Sequence, residues 1–146
     1  MHRFIKSTER WWNKPLAAQG TKHLPAELAV LEAELRPGEQ GAWLNSRGVI
    51  TGVAELVRDS MGKFKTRRIE LPRFVSSQLE SIYEAAGLSK GAADLVIWNA
   101  DTRLVRFVEV KCPDWDSPSD EQLRFLRAAE VNNCPMSIVE WEFCDA

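Results

Sequence analysis

Residues 93–99, ADLVIWN, and 103–111, RLVRFVEVK, limit the fold more than any other part of the chain. Both are dense in Val, Ile, Leu, Phe and Trp, at successive positions and not only at alternate ones. Strands apolar on both faces belong to a sheet covered on two sides. The link between them, NADT, is rich in turn formers, which predicts an antiparallel hairpin. Three charges interrupt this apolar pair: Asp94, Glu109 and Lys111. Glu109 and Lys111 are two residues apart and so share a face. If Asn99 pairs with Leu104 around a loop of Ala100–Arg103, paired positions sum to 203. Asp94 then lies opposite Glu109, with side chains roughly 5 Å apart. A slip to 202 would instead place Asp94 against Val108 and turn Glu109 to the other face.

Around the hairpin the chain alternates helix and strand signals. LPAELAVLEAELRPG reads as a helix, with Leu28, Leu31 and Leu35 at helical spacing and Pro37–Gly38 as its stop. GVITGVAELVRDSM is a second helix candidate, weakened by Gly52, and GKFKTRRIELP alternates as an exposed basic strand. PRFVSSQLESIYEAAG is a third helix, opened at Pro72 and closed at Gly87. SPSDEQLRFLRAAEV follows the hairpin as a helix, capped by Ser117 or Ser119, with Asp120 and Glu121 in the dipole-favoured first turn. PMSIVEWEF closes as a strand. This order predicts a mixed α/β domain, with a central sheet of four to five strands flanked by helices.

The chain has 146 residues, enough for one core. Residues 1–24, which include Trp11–Trp12, are polar and carry a net charge of +4, and are expected to form a basic arm before a domain at 25–146. Residues 58–73 are again +4, whereas residues 91–146 hold 11 acids and 5 bases. Basic stretches attract polyanions. No apolar run approaches the roughly 20 residues of a membrane helix, and the first residues lack the apolar core of a signal peptide. Three cysteines without a C-x-x-C pair suggest neither a disulfide framework nor a zinc site. His2 and His23 have no partner at ligand spacing. An intracellular, cytoplasmic protein is the expectation.

Two carboxylates and a lysine at the end of a strand are what hard-metal phosphodiester chemistry uses. Mg²⁺ takes oxygen ligands, and a bound ion activates water and neutralises phosphate charge. A lysine orients that water or stabilises charge in the transition state. The Val110 carbonyl is a further candidate ligand. The same three charges also suit a salt-bridged surface hairpin, because E-x-K is a common strand pattern. An uncompensated charge within an apolar strand is costly, however, which favours a functional role.

The stretch from Ala93 to Val131 resembles the VRR-NUC domain of the PD-(D/E)XK nuclease superfamily, and is similar to its Fanconi-associated nuclease branch. The shared pattern is Asp94 opening a strand, a hairpin, Glu109-Val110-Lys111 followed by Pro113, Asp116 in a loop, and Ser119 and Gln122 opening a helix. The sequence departs from that pattern where Ala93 replaces Pro and Cys112 replaces Gly. Neither position is a ligand, and Cys112 is expected to pack on the opposite face. The resemblance implies a restriction-endonuclease-like sheet. It implies Mg²⁺ or Mn²⁺ held by Asp94 and Glu109, with Lys111 assisting a water and Gln122 orienting Lys111 or a phosphate. It also implies an upstream helical glutamate as ligand, for which Glu55 is the first choice, ahead of Glu80 and Glu39.

Two functions follow. One is a metal-dependent nuclease cutting branched or flapped DNA as a homodimer, with Lys63, Lys65, Arg67, Arg68 and Arg73 on phosphates. The other is a non-catalytic DNA-binding or protein-docking module on the same fold, in which the Trp pair marks an interface.

Overall fold

A computed structural model of the chain describes residues 1–11, 14–44, 50–51, 56–58, 64–66, 68–89, 93–113 and 119–145. Strands β1 (His2–Trp11), β2 (Lys14–Gln19) and β3 (Lys22–Leu24) lead into helix α1 (Ala26–Glu34). Then come β4 (Glu39–Leu44), β5 (Ile50–Thr51), β6 (Leu56–Arg58), β7 (Phe64–Thr66) and α2 (Arg73–Ala86). The chain closes with β8 (Leu95–Asn99), β9 (Val105–Lys111), α3 (Asp120–Val131) and β10 (Met136–Cys144). One mixed sheet takes eight strands in the order β3-β2-β1-β10-β9-β8-β4-β5, and β6 and β7 form a separate two-stranded sheet. The α/β class expected from the sequence is therefore observed, with the hairpin near the middle of the large sheet.

The hairpin takes the predicted register. Leu95 pairs with Val108, Val96 with Phe107, Ile97 with Arg106 and Trp98 with Val105, each pair summing to 203. Asn99 sets this register. Its N–H bonds the Leu104 carbonyl at 3.0 Å, and its side chain accepts from the Asp101 and Thr102 N–H groups at 2.9 and 3.2 Å. Arg103 completes the turn at φ 59°. Successive residues then feed opposite cores. Val96, Trp98, Val105 and Phe107 face α2 and α3 with Phe125 and Ile82. Leu95, Ile97, Val108 and Val110 face the α1 side with Leu28, Leu31 and Trp141. Phe107 and Val108 are neighbours in sequence and both 0% exposed, which two covered faces require.

The helices end as their residues dictate. Gly87 adopts φ 69°, and Leu88 N–H returns to the Tyr83 carbonyl at 2.9 Å, closing α2 with a left-handed cap. Ser119, not Ser117, caps α3. Gly41 of β4 allows α1 to lie close, since a Cβ there would sit 2.5 Å from Leu31 Cδ1 and 3.1 Å from the Val96 carbonyl.

Three expectations are corrected. The described part of residues 1–24 builds three strands of the large sheet: β1 runs parallel to β10, with His2 beside Trp141 and Phe4 beside Phe143. Phe4, Ala17 and Leu24 are buried in the α1-side core. The stretch expected as a second helix instead contributes β5, paired with β4, and β6, paired with β7. β-Branched Ile50, Thr51 and Val57 favour that outcome. The large sheet has eight strands, not four to five, because the N-terminal strands and β4 extend it on both sides of the hairpin.

Candidate functional site

Asp94 stands just before β8. Its carbonyl accepts from the Leu44 N–H at 2.7 Å, so β4 fixes its backbone. Its Oδ2 accepts from the Val110 N–H at 2.8 Å, tying the carboxylate to β9. Glu109 and Lys111, 2% and 9% exposed, are the buried charged residues among those described. Both point from β9 toward the start of α3. Glu109 Oε1 accepts from Gln122 Nε2 at 2.6 Å and lies 3.2 Å from Lys111 Nζ. Lys111 Nζ also donates to Gln122 Oε1 at 3.0 Å. The four residues Asp94, Glu109, Lys111 and Gln122 are thus brought together, and Val110 lies between the last two strand charges.

The pair of acids is electrostatically frustrated. Burial pushes the Glu109 carboxyl up to about 9, the nearby Asp94 charge adds to this, and Lys111 opposes it. Burial also raises Asp94, against hydrogen bonds from Glu109 and the Val110 N–H that hold it down; the charge of Glu27 raises it further. Two carboxylates in this relation share a proton or a cation. Glu109 Oε2 is buried and no N–H group reaches it, which leaves it to the proton or cation that the acid pair shares. A hard divalent cation fits such a donor set, since Mg²⁺ is commonly held by one or two carboxylates and keeps several waters. Among the described residues no cluster of three or more His, Cys, Asp or Glu side chains gathers at one point.

The remaining candidates are placed as follows. Glu55, Lys63, Arg67 and Asp116 lie outside the described residues. Lys65 is in β7, paired with Val57, and Arg68 and Arg73 are exposed. Glu39 is engaged elsewhere, taking 2.9 and 3.1 Å bonds from Arg106, and that guanidinium holds its carboxyl below the usual range. Glu80 is exposed on α2. Cys112 is buried on the α1 side beside Val110, as expected of a packing residue.

Sequence reasoning missed Glu27, in the first turn of α1, whose charge reaches Asp94. The available signal was spacing. Glu27 lies four residues before Leu31, in line with the buried stripe of α1, whereas Glu32 ion-pairs with Lys22 on the outside.

The VRR-NUC domain family model matches residues 35–141. Among solved structures, the crystal structure of paFAN1 bound to 2nt 5′ flap DNA with gap is similar, at TM-score 0.54 and 15% sequence identity. The likeness covers 90% of this chain and 37% of that one, so the chain spans well under half the length of that neighbour. At that identity the likeness concerns the fold. No curated protein matches the chain. Among the described residues, no helix is long and apolar enough to cross a membrane. With the family model covering most of the chain, the chain belongs to the VRR-NUC domain family of nuclease-type folds.

Proposed function

We propose that this domain is a metal-dependent deoxyribonuclease that cleaves phosphodiester bonds in branched or flapped DNA. The observation that carries the reading is the pair Asp94 and Glu109, with a buried Glu109 oxygen that no N–H group reaches and Lys111 3.2 Å from the other oxygen of that carboxylate. Such a pair within an apolar strand is stable only when a proton or a cation joins it, and a cation is what phosphodiester chemistry adds. In this reading Asp94 and Glu109 hold Mg²⁺ or Mn²⁺. The Val110 carbonyl contributes as well, because its N–H points at Asp94 and both backbone groups of one extended residue point the same way. For the upstream helical carboxylate, Glu27, whose charge acts on Asp94, joins Glu55 as a candidate.

When bound, the ion supplies Lewis-acid charge and a more acidic water. The chain's own residues do the rest. Lys111 offers three N–H donors, and two are directed at Glu109 and Gln122. The third serves the attacking water or a phosphate oxygen. Gln122 keeps that ammonium in place. The basic stretch with Lys63, Lys65, Arg67, Arg68 and Arg73 contacts phosphates without regard to sequence. The neighbour of similar fold holds flap DNA, which supports flapped or branched DNA as the substrate class. A homodimer completes the proposal, to be read by sedimentation equilibrium.

The test is incubation of the protein with branched, flapped and linear DNA of one sequence, with and without Mn²⁺. Ion-dependent cutting that prefers the branched or flapped substrates supports the reading. Retention of DNA without cutting at any ion concentration would instead make this a non-catalytic DNA-binding module.

A further inference from the structure

The Gln122 side-chain amide serves two structures at once. It belongs to the capping box that opens α3: Gln122 N–H donates to Ser119 Oγ at 3.2 Å, and Ser119 N–H donates to Gln122 Oε1 at 2.9 Å. The same Oε1 accepts from Lys111 Nζ at 3.0 Å, while Nε2 donates to Glu109 Oε1 at 2.6 Å. An amide carbonyl has two lone pairs, and these two donors use both. Turning the amide over would set N–H against N–H on one side and carbonyl against carboxylate on the other. One orientation survives. It engages Glu109 Oε1 and leaves Oε2 as the oxygen that no N–H group reaches.

We infer that Ser119 is a positioning residue: it anchors the Gln122 amide that selects which Glu109 oxygen faces the cation and where the Lys111 ammonium sits. The inference rests on the nuclease reading above. Ser119 itself is exposed, and no bond joins it to Glu109 or Lys111. Its effect passes entirely through Gln122: the hydroxyl holds the Gln122 backbone N–H, and the Ser119 backbone N–H holds Oε1. Loss of the Ser119 hydroxyl removes the acceptor of the Gln122 backbone N–H, so the first turn of α3 loosens, the Ser119 N–H drifts from Oε1 and the amide swings. Glu109 then presents either oxygen, and Lys111 loses one of its two fixed partners. A misplacement of about 1 Å at such a site lowers turnover by as much as roughly a hundredfold.

The experiment compares Ser119→Ala, Ser119→Gly and Ser119→Thr with wild type, and adds Asp120→Ala as a change in the same turn that keeps both bonds of the capping box. Glycine is tolerated at helix N-caps nearly as well as serine, so Ser119→Gly removes the hydroxyl with least harm to the helix. Three quantities are read: hydrogen exchange of the Gln122 carboxamide by ¹⁵N NMR in metal-free protein, Mn²⁺ affinity by electron paramagnetic resonance, and kcat with KM on flapped DNA. Ser119→Ala and Ser119→Gly should speed carboxamide exchange and lower kcat by roughly tenfold to a hundredfold, with KM within about twofold. They should also weaken Mn²⁺ binding. Ser119→Thr should restore all three. Wild-type exchange in Ser119→Gly overturns the inference, as does an equal effect from Asp120→Ala, which would mean general fraying of the helix. Exchange needs no cleavage. A wild-type protein that cuts no DNA, yet shows the Ser119→Gly effect on the carboxamide, sinks the nuclease reading and leaves the Ser119–Gln122 clamp standing.

Discussion

Glu109 is the residue in which folding and chemistry oppose each other most directly. It is 2% exposed, beside a second acid, with an oxygen that no N–H group reaches. Its folded-state carboxyl is raised to about 9 from an ordinary 4.5, so the fold favours its protonated form. That contribution is complete below the ordinary value and disappears as pH rises through the folded value. The thermal midpoint of the metal-free protein should therefore fall between about pH 4.5 and pH 9. Glu109→Gln should flatten this decline, and Mg²⁺ should offset it in wild type alone. A Glu109→Gln profile parallel to wild type would show that the acid pair does not control stability. For activity, Asp94→Ala and Glu109→Ala should each lower cleavage on the order of a thousandfold or more, with the circular dichroism spectrum unchanged. Near wild-type turnover in either variant would place the active site elsewhere.

Strands β8 and β9 were legible because their signals are local. Asn99 and its turn, the period of two and the doubly apolar faces all lie within a span of 18 residues, from Asp94 to Lys111, and together they fix which side chains meet. Helices α2 and α3 were legible for a similar reason, through Gly87 and Ser119 at their ends. The segment around Ile50–Arg58 was not legible. Its helical spacing competed with β-branched residues, and pairing with β4 and β7 decided for strand. Packing of α1 on β4 is equally non-local, and Gly41 marks it. Gly41→Ala should destabilise the fold by about 1–3 kcal/mol, because Leu31 is 1% exposed and has nowhere to go. Chemical denaturation reads this as a lower midpoint at unchanged slope. An unaltered midpoint would mean that α1 lies farther from the sheet.

Across the molecule, the N-terminal strands turn what reads as a basic arm into structure. β1 and β10 meet from opposite ends of the sequence, His2 against Trp141, and three N-terminal side chains fill the α1-side core. Removing residues 1–24 should therefore abolish cooperative unfolding. A detached arm would leave the melting curve unchanged, and that result would separate these strands from the domain. The charge gradient bears on DNA affinity. Neutralising Lys63, Lys65, Arg67 and Arg68 together should weaken binding to all sequences alike. It should also reduce the slope of log affinity against log salt by about 0.9 for every phosphate that is no longer neutralised. A slope that stays at its wild-type value moves the DNA surface off this stretch.

Sequence alone carried the hairpin register, the α/β class, the Gly87 cap, the choice of Ser117 or Ser119 for the other, and the meeting of Asp94, Glu109 and Lys111. Each depends on neighbours within a turn or a strand pair, where geometry is nearly invariant. Tertiary structure was needed for the eight-strand sheet, the place of the N-terminal strands and the influence of the Glu27 charge on Asp94. It was needed too for the sharing of one Gln122 amide between a helix cap and two buried charges. Those features join residues far apart in the chain. They form only when burial of both sheet faces outweighs the entropy of closing long loops, and no local pattern records which distant partner wins.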